Sequence, residues 1–285
     1  LRRWRGFTRP VRRRLEARGA PAGAPTAADE YLLYQTLLGT LPPGGLDDAS
    51  REPYAERIVR YMQKAARESK LNTRWTNPNE GYERALEGFA PALLRPGPDN
   101  HFLDELQIMA ARLAWFGALN SLSLALLKYG SPGVPDLYQG NELMDLSLVD
   151  PDNRRPVDFG VREQLLDALD ALAKAPDVAA RVNALVRAPH DGRAKLWIIW
   201  RLLSLRRAHP VLFREGSYER LAAGGAKAGH VVAFARRHGE QELVLIGGRL
   251  FTGLVAAEGE LPLGDAWQDT SVHMQDTPDG AAFEN

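Results

Sequence analysis

Residues 131–159, SPGVPDLYQGNELMDLSLVDPDNRRPVDF, carry the strongest structural signal in the chain. Residues 134–138 form a short apolar segment between prolines and glycines, a pattern that predicts a buried strand. A long polar loop follows, and in (β/α)8 barrels such loops form the active site at the C-terminal ends of the strands. We therefore expect residues 142–155 to face a cleft. The charged residues of this stretch are Asp136, Glu142, Asp145, Asp150, Asp152, Arg154, Arg155 and Asp158.

Helical patterns lie on both sides of this stretch. Before it, the predicted helices cover residues 26–38, 53–70, 79–91 and 100–129. After it, they cover residues 161–174, 177–186 and 194–207. The spacing of the apolar residues then changes from helical to strand-like, and residues 231–235, 243–246 and 272–274 predict short strands. We place a boundary near residues 213–216.

The composition excludes several classes of function. Lys and Arg total 36, as do Asp and Glu, and a net charge of zero argues against a general nucleic-acid or membrane-surface role. Without cysteine the chain has no disulfide, thiolate zinc site or cysteine nucleophile. The six histidines are scattered, and no glycine-rich phosphate-binding motif occurs. We therefore expect no metal and no cofactor.

The chain shows no unbroken run of about 18 apolar residues, so we expect no transmembrane helix. No signal peptide is visible, which favours a cytoplasmic protein. The first residue is Leu1 rather than Met, so we expect a piece of a longer protein.

The first 18 residues contain eight arginines and one acidic residue, Glu16. They could form a basic arm for phosphates or the exposed face of a helix. Because the rest of the chain is not basic, we favour the helix face.

Two motifs connect the loop to a known family. P-x-x-P-D-x-Y-Q-G-x-E, followed by D-P-D-N-R-R-P-V-D, resembles the last barrel strand and the following loop of maltooligosyltrehalose synthases, members of the α-amylase superfamily of glycoside hydrolases. The segments YLLYQTLLG (31–39), KAARESKLNTRW (64–75) and LRRAHPVLFREGSY (205–218) resemble the same family. Many amylase relatives share PDLYQGNE, whereas SLVDPDNRRPVDF is much more specific and carries the assignment to this family.

The resemblance implies an α/β fold class. Residues 1–214 would form the C-terminal part of a (β/α)8 barrel, mostly helical here and with helical insertions. Residues 215–285 would form a small antiparallel β-domain, which need not be complete.

The resemblance also implies an activity. These enzymes convert the reducing-end α-1,4 link of a maltooligosaccharide into an α,α-1,1 link by intramolecular glucosyl transfer, a step of trehalose biosynthesis that needs no cofactor. The superfamily's nucleophile Asp, acid/base Glu and stabilising Asp lie on earlier barrel strands, and none of their motifs occurs in this sequence. We therefore assign no catalytic residue and expect that triad upstream of Leu1. The implied partners are the maltooligosaccharide and the missing N-terminal part of the enzyme, without nucleic acid or membrane.

The D-P-D-N-R-R segment supplies the first substrate-binding candidates, Asp150, Asp152, Arg154 and Arg155. Sugar hydroxyls pair well with carboxylates and with the forked guanidinium. Alternatively, the arginines only fasten the loop through Asp–Arg pairs. Because a buried guanidinium needs a partner, we expect at least one of them to pair with an aspartate of the loop.

Two further groups of candidates lie outside this segment. Tyr138, Gln139 and Glu142 could contact the scissile glucose, or could equally pack and cap a turn. Lys70 and Trp75 belong to a polar cluster at a helix end, where the ring could stack on glucose or lie half-buried on a surface helix. Two alternative functions stay open, an α-1,4-glucan hydrolase of the same superfamily and a non-catalytic glucan-binding fragment.

Overall fold

In the computed structural model of the protein, residues 1–274 are described. Within them the chain forms nine α-helices and five short strands. The contacts divide the chain into two compact units. Among the described residues, the first unit contains Leu1–Ala114 and Leu146–Pro156, and the second contains Trp115–Asp145 and residues 157–274.

The first unit is helical. Its elements are α1 (Arg2–Ala17), α2 (Ala27–Thr40), α3 (Asp48–Ser69), α4 (Glu80–Leu94) and the first half of α5 (His101–Gly130). Their apolar faces share one core, in which Tyr34, Ile58 and Phe89 are almost fully buried. Leu148 packs against this core, so the loop Leu146–Pro156 is tied to the helices.

N-terminal capping residues determine where α2 and α3 begin. Thr26 and Asp29 form the capping box of α2, as predicted. The prediction that α3 begins at Pro53 is wrong, because Asp47 and Ser50 form an earlier capping box and Pro53 lies inside the helix.

The helix end predicted at Pro91 is also wrong. α4 continues through the proline to Leu94. Leu93 and Leu94 are buried in the core, and this burial holds the last turn in place although proline removes one helical hydrogen bond.

The arginine-rich start of the chain forms α1, as the helix-face interpretation predicts. Arg5 and Arg12 turn inward and form ion pairs with the buried Glu30 of α2. Arg9 and Arg13 are exposed.

The second unit combines helices with small sheets. Its helices are the second half of α5, α6 (Phe159–Ala173), α7 (Val178–Val186), α8 (Arg193–Ala208) and α9 (Pro210–Glu215). β1 (Glu219–Arg220), β3 (Val231–His238) and β4 (Gln241–Gly248) form an antiparallel sheet in the order β1-β3-β4, while β2 (Ala222–Gly224) pairs with β5 (Ser271–His273). β3, β4 and β5 lie at the three predicted strand positions, whereas the short strands β1 and β2 were not predicted. The division into 1–214 and 215–285 stays a prediction.

Residues 134–138 form no strand, so that prediction is wrong for this chain. Val134 is 96% exposed and Tyr138 is also exposed. A strand requires a hydrogen-bonding neighbour, and none of the strands described in residues 1–274 pairs with this segment. Just before it, Arg206 of α8 donates hydrogen bonds to the carbonyls of Tyr129, Ser131 and Gly133.

By length and composition alone, α5 could cross a membrane. A core helix passes the same test, and α5 supplies buried side chains to packed cores. Phe102 and Leu106 pack in the first unit, and Trp115 and Phe116 pack with Phe251 in the second.

Candidate functional site

A cavity of about 300 Å³ lies between α3 and the loop Leu146–Pro156. Three of the four candidates from the D-P-D-N-R-R segment line it, Asp150, Asp152 and Arg155, whereas Arg154 does not. The remaining lining residues are Arg57, Arg60, Tyr61, Lys64, Val149 and Pro151. The structure thus places the motif with the strongest family signal beside a polar helix face.

Asp152 is the anchor of this loop. Its Oδ1 accepts a hydrogen bond from Arg57 Nε at 2.9 Å, and its Oδ2 accepts one from Arg57 Nη2 at 2.8 Å. Oδ2 also accepts from the backbone N–H of Leu148 at 2.7 Å. The two side chains are only 17% and 13% exposed, so this forked pair is largely removed from water.

The surroundings keep Asp152 charged. Burial raises the pKa of the carboxyl, but the hydrogen bonds from Arg57 and Leu148 and the charges of Arg57 and Arg155 outweigh it. The pKa of Asp152 therefore lies below its usual range. At neutral pH this group is a hydrogen-bond acceptor and not an acid.

The two adjacent arginines are more accessible. Arg154 forms an ion pair with Asp150, and the side chains are 72% and 49% exposed. Arg155 Nε lies 3.3 Å from Asp152 Oδ1, and its Nη2 donates to Ser147 Oγ at 2.9 Å. The prediction that at least one arginine pairs with an aspartate of the loop is confirmed, but the expectation that one of them is buried is wrong, because both side chains are exposed.

Sequence reasoning missed Arg57 as the partner of Asp152. The two residues are 95 positions apart, and no local motif joins them. A usable signal existed, because Arg57, Arg60, Tyr61 and Lys64 recur at helical spacing along one stripe of α3, beside the core face that holds Ile58. Lys64 also donates to the carbonyl of Asp150.

The cluster at the end of α3 has a separate geometry. Arg67 lies over the ring of Trp75 at 4.8 Å and donates to Glu83 Oε1 at 2.9 Å. Glu83 also accepts from the buried Thr73, whose Oγ1 lies at 2.6 Å. The hydrogen bond from Arg67 is the main cause that holds the pKa of Glu83 below its usual range. Glu83 therefore holds the Arg67 guanidinium, and the guanidinium covers one face of the exposed Trp75 ring.

Lys70 ends α3 in the left-handed conformation, with φ of 60°, and its side chain is exposed. Neither Lys70 nor Trp75 lines the 300 Å³ cavity. An open depression of about 620 Å³ is lined by residues 71–74 and 77–80, and neither candidate is among its lining residues. The structure therefore does not bring these two candidates to the D-P-D-N-R-R loop.

Tyr138, Gln139 and Glu142 belong to the second unit. Tyr138 and Gln139 are exposed. Glu142 Oε2 accepts a hydrogen bond from Arg162 Nε at 3.0 Å, and the two side chains are 21% and 18% exposed. The carboxylate is thus engaged by a cation that sequence reasoning did not single out.

Within residues 1–274, no group of three or more His, Asp or Glu side chains has the geometry to hold a metal ion.

No family model matches the chain. Two curated relatives from strains of Mycobacterium tuberculosis, both named "Putative maltooligosyl trehalose synthase", are 37% identical over 227 residues, which is 80% of this chain and 26% of theirs. The chain therefore spans about a quarter of the length of these relatives.

Solved structures agree with the sequence comparison. The maltooligosyltrehalose synthase from Arthrobacter ramosus matches 95% of this chain and 30% of its own, with a TM-score of 0.67 and 32% identity. A hypothetical maltooligosyl trehalose synthase from Sulfolobus tokodaii matches 76% of this chain and 26% of its own, with a TM-score of 0.57 and 31% identity. The resemblance inferred from the motifs is confirmed.

Proposed function

We propose that this chain is part of an enzyme that converts the reducing-end α-1,4 link of a maltooligosaccharide into an α,α-1,1 link, a step of trehalose biosynthesis. The reaction is an intramolecular glucosyl transfer, which makes the enzyme a (1→4)-α-D-glucan 1-α-D-glucosylmutase. The observation that carries the proposal is the 37% identity over 80% of the chain to proteins named for this synthesis. In this proposal the chain supplies the C-terminal part of a (β/α)8 barrel and a small β-domain.

The cavity between α3 and the loop has the chemistry of a substrate-positioning site. Arg155 is half-exposed at the cavity and offers N–H donors, and the half-exposed Asp150 offers acceptors; Arg154 adds an exposed guanidinium on the same loop, outside the cavity. Sugar hydroxyls both donate and accept, so they suit such a mixed set. The exposed Trp75 ring and the exposed Tyr138 and Gln139 provide further sugar contacts in the complete enzyme.

The chain's own partly buried carboxylates do not supply the chemical step. Glucosyl transfer needs a nucleophile and an acid placed on either side of the sugar bond. Asp152 accepts hydrogen bonds from Arg57 and from a backbone N–H, and Glu142 accepts from Arg162. Both carboxylates are thus committed to holding the protein. We therefore propose that the 285 residues alone do not turn over maltooligosaccharides.

The proposed reaction also requires a closed site. A covalent sugar intermediate forms, and the released glucose turns and attacks it through its anomeric hydroxyl. Water that reaches the intermediate gives hydrolysis instead. A polar loop anchored on a helix is suited to exclude water while it contacts the sugar.

The test uses the longest coding sequence that contains this chain, with maltopentaose as substrate. We expect reducing ends to disappear with little free glucose, and no turnover by the 285-residue chain. Substitution Arg155→Ala should lower this activity far more than Arg13→Ala, a matched change at an exposed arginine of α1. Free glucose as the main product would instead identify a hydrolase. Equal effects of the two substitutions on activity would show that the loop is not part of the substrate site.

A further inference from the structure

One arginine outside the loop joins the loop's two ends. Arg162, in the first turns of α6, donates from Nη2 to the carbonyl of Gly140 at 2.8 Å. It donates from Nη1 to the carbonyl of Asp158 at 2.9 Å and from Nε to Glu142 Oε2 at 3.0 Å. All three nitrogens of this guanidinium therefore bind the two ends of the loop, Gly140 and Glu142 at one end and Asp158 at the other.

The surroundings favour this arrangement. The Arg162 side chain is 18% exposed, so the Glu142 carboxylate provides the charge that a largely buried guanidinium needs. Gly140 has φ of +93°, and a Cβ there would lie 3.2 Å from Val157 Cγ2. A side chain at position 140 would be strained by this backbone conformation and would press on the Val157 side chain, so the two ends of the loop lie close together here.

The far end of this connection is fixed to a helix. Asp158 is the N-cap of α6, and its Oδ1 accepts the N–H of Val161 at 3.0 Å. The Asp158 carbonyl that accepts from Arg162 therefore belongs to a capped helix start, which is a defined position. The Gly140 end of the loop is held to this helix through the same guanidinium.

We propose that Arg162 is a positioning residue that keeps the neck of the 140–158 loop closed, and that Glu142 acts as its counter-charge and does not contact the sugar. The inference rests on the proposed function, because the loop carries the candidate sugar-contacting residues. The glucosyl intermediate must survive until the released glucose has turned. During this time a closed neck holds the loop over the site and so keeps water away from the intermediate. Opening the neck diverts the intermediate from transfer to hydrolysis.

The decisive measurement is the ratio of transfer product to free glucose from maltopentaose, in the longest coding sequence that contains this chain. Substitution Arg162→Lys keeps the charge but loses the fork. We expect the ratio to fall on the order of tenfold, within the range known for small misplacements of reacting groups. The matched control is Arg181→Lys, which alters an exposed ion pair with Asp177 on α7 and should leave the ratio unchanged.

Substitution Glu142→Gln separates the counter-charge from a sugar contact. If Glu142 acts through Arg162, the double variant with Arg162→Lys should lower the ratio no further than the stronger single variant. Additive effects would show an independent role for Glu142 and would overturn that part of the proposal. An unchanged ratio in Arg162→Lys would overturn the positioning role, since a merely structural loss reduces the active fraction and both products together.

Hydrogen exchange gives a readout that does not depend on the activity. In Arg162→Lys, amides of residues 141–158 should exchange faster, while those of α4, a helix of the first unit, should not change. If the wild-type protein makes no α,α-1,1 product but exchange rises as expected, the proposed function fails and the neck contact stands. Unchanged exchange in the loop would refute the neck contact itself.

Discussion

Substitution Asp152→Asn tests whether the loop is anchored on α3. Asparagine keeps the size of the side chain but removes its charge and replaces one acceptor oxygen by an NH2 donor. Arg57 then loses its forked carboxylate and faces the NH2 group in either orientation of the amide; when that group replaces Oδ2, the N–H of Leu148 faces it as well. The change therefore leaves donors without acceptors in a site with little access to water.

The solvent exposure of Arg57 and Asp152 determines how much stability the substitution costs. Removing one partner of a fully buried ion pair costs about 3–5 kcal/mol, whereas an exposed pair contributes roughly 0–1 kcal/mol. At 17% and 13% exposure, Arg57 and Asp152 lie nearer the buried limit. We therefore expect the free energy of unfolding to fall by about 2–3 kcal/mol, which separates this change from an ordinary surface substitution.

Asp150→Asn is the matched control on the same loop. Asp150 pairs with Arg154, but the two side chains are 49% and 72% exposed, so we expect a change within about 0.5 kcal/mol. The assay is urea unfolding of both variants followed by circular dichroism. With a slope near 3 kcal/mol per molar, the Asp152→Asn midpoint should fall by about 0.7–1 M. Equal midpoints for the two variants would refute the anchoring argument.

Further predictions concern pH, two clusters and a cap. The pKa of Asp152 is lower in the folded than in the unfolded protein, so the stabilisation by its charged form is complete above about pH 4 and is lost as the pH falls further. The difference in unfolding free energy between wild type and Asp152→Asn should therefore shrink between about pH 6 and pH 3. Substitution Glu83→Gln should cost about 2 kcal/mol in urea unfolding, because the buried carboxylate accepts from Arg67 and Thr73. Trp75→Ala should change the unfolding free energy by less than about 0.5 kcal/mol but raise the KM of the complete enzyme for maltopentaose. Thr26→Ala should cost about 1 kcal/mol by removing the cap of α2, measured by thermal unfolding.

Local signals in the sequence predicted local structure well. The capping box at Thr26 and the Asp–Arg pairs of the D-P-D-N-R-R segment involve residues three or four positions apart, so the sequence order itself brings them together. Pro53 misled the assignment of α3 because proline is also tolerated inside a helix whose start is fixed by a stronger cap.

Non-local structure was harder to predict. Whether residues 134–138 form a strand depends on a pairing neighbour, and pattern alone cannot supply one. The link between Arg57 and Asp152 spans 95 positions, and Arg162 reaches back 22 positions to Gly140. In each case the decisive partner lies on another element, so the motif indicates where the chemistry is but not what holds it in place.

The D-P-D-N-R-R segment divides its charges between two tasks, and burial distinguishes them. Asp152 is almost enclosed, and its lone pairs are taken up by Arg57 and Leu148 N–H, so a sugar would have to break those bonds to reach it. Asp150 and Arg154 form an ion pair whose side chains are 49% and 72% exposed, and exchanging such a weak partner for a hydroxyl costs little. A loop that binds a flexible glucan needs both kinds of residue, because accessible groups contact the substrate only from a backbone that stays in place. Under the proposed function, loss of activity on substituting Asp152 would therefore report on the anchor, whereas within this segment substitutions at Asp150, Arg154 and Arg155 would report directly on sugar contact.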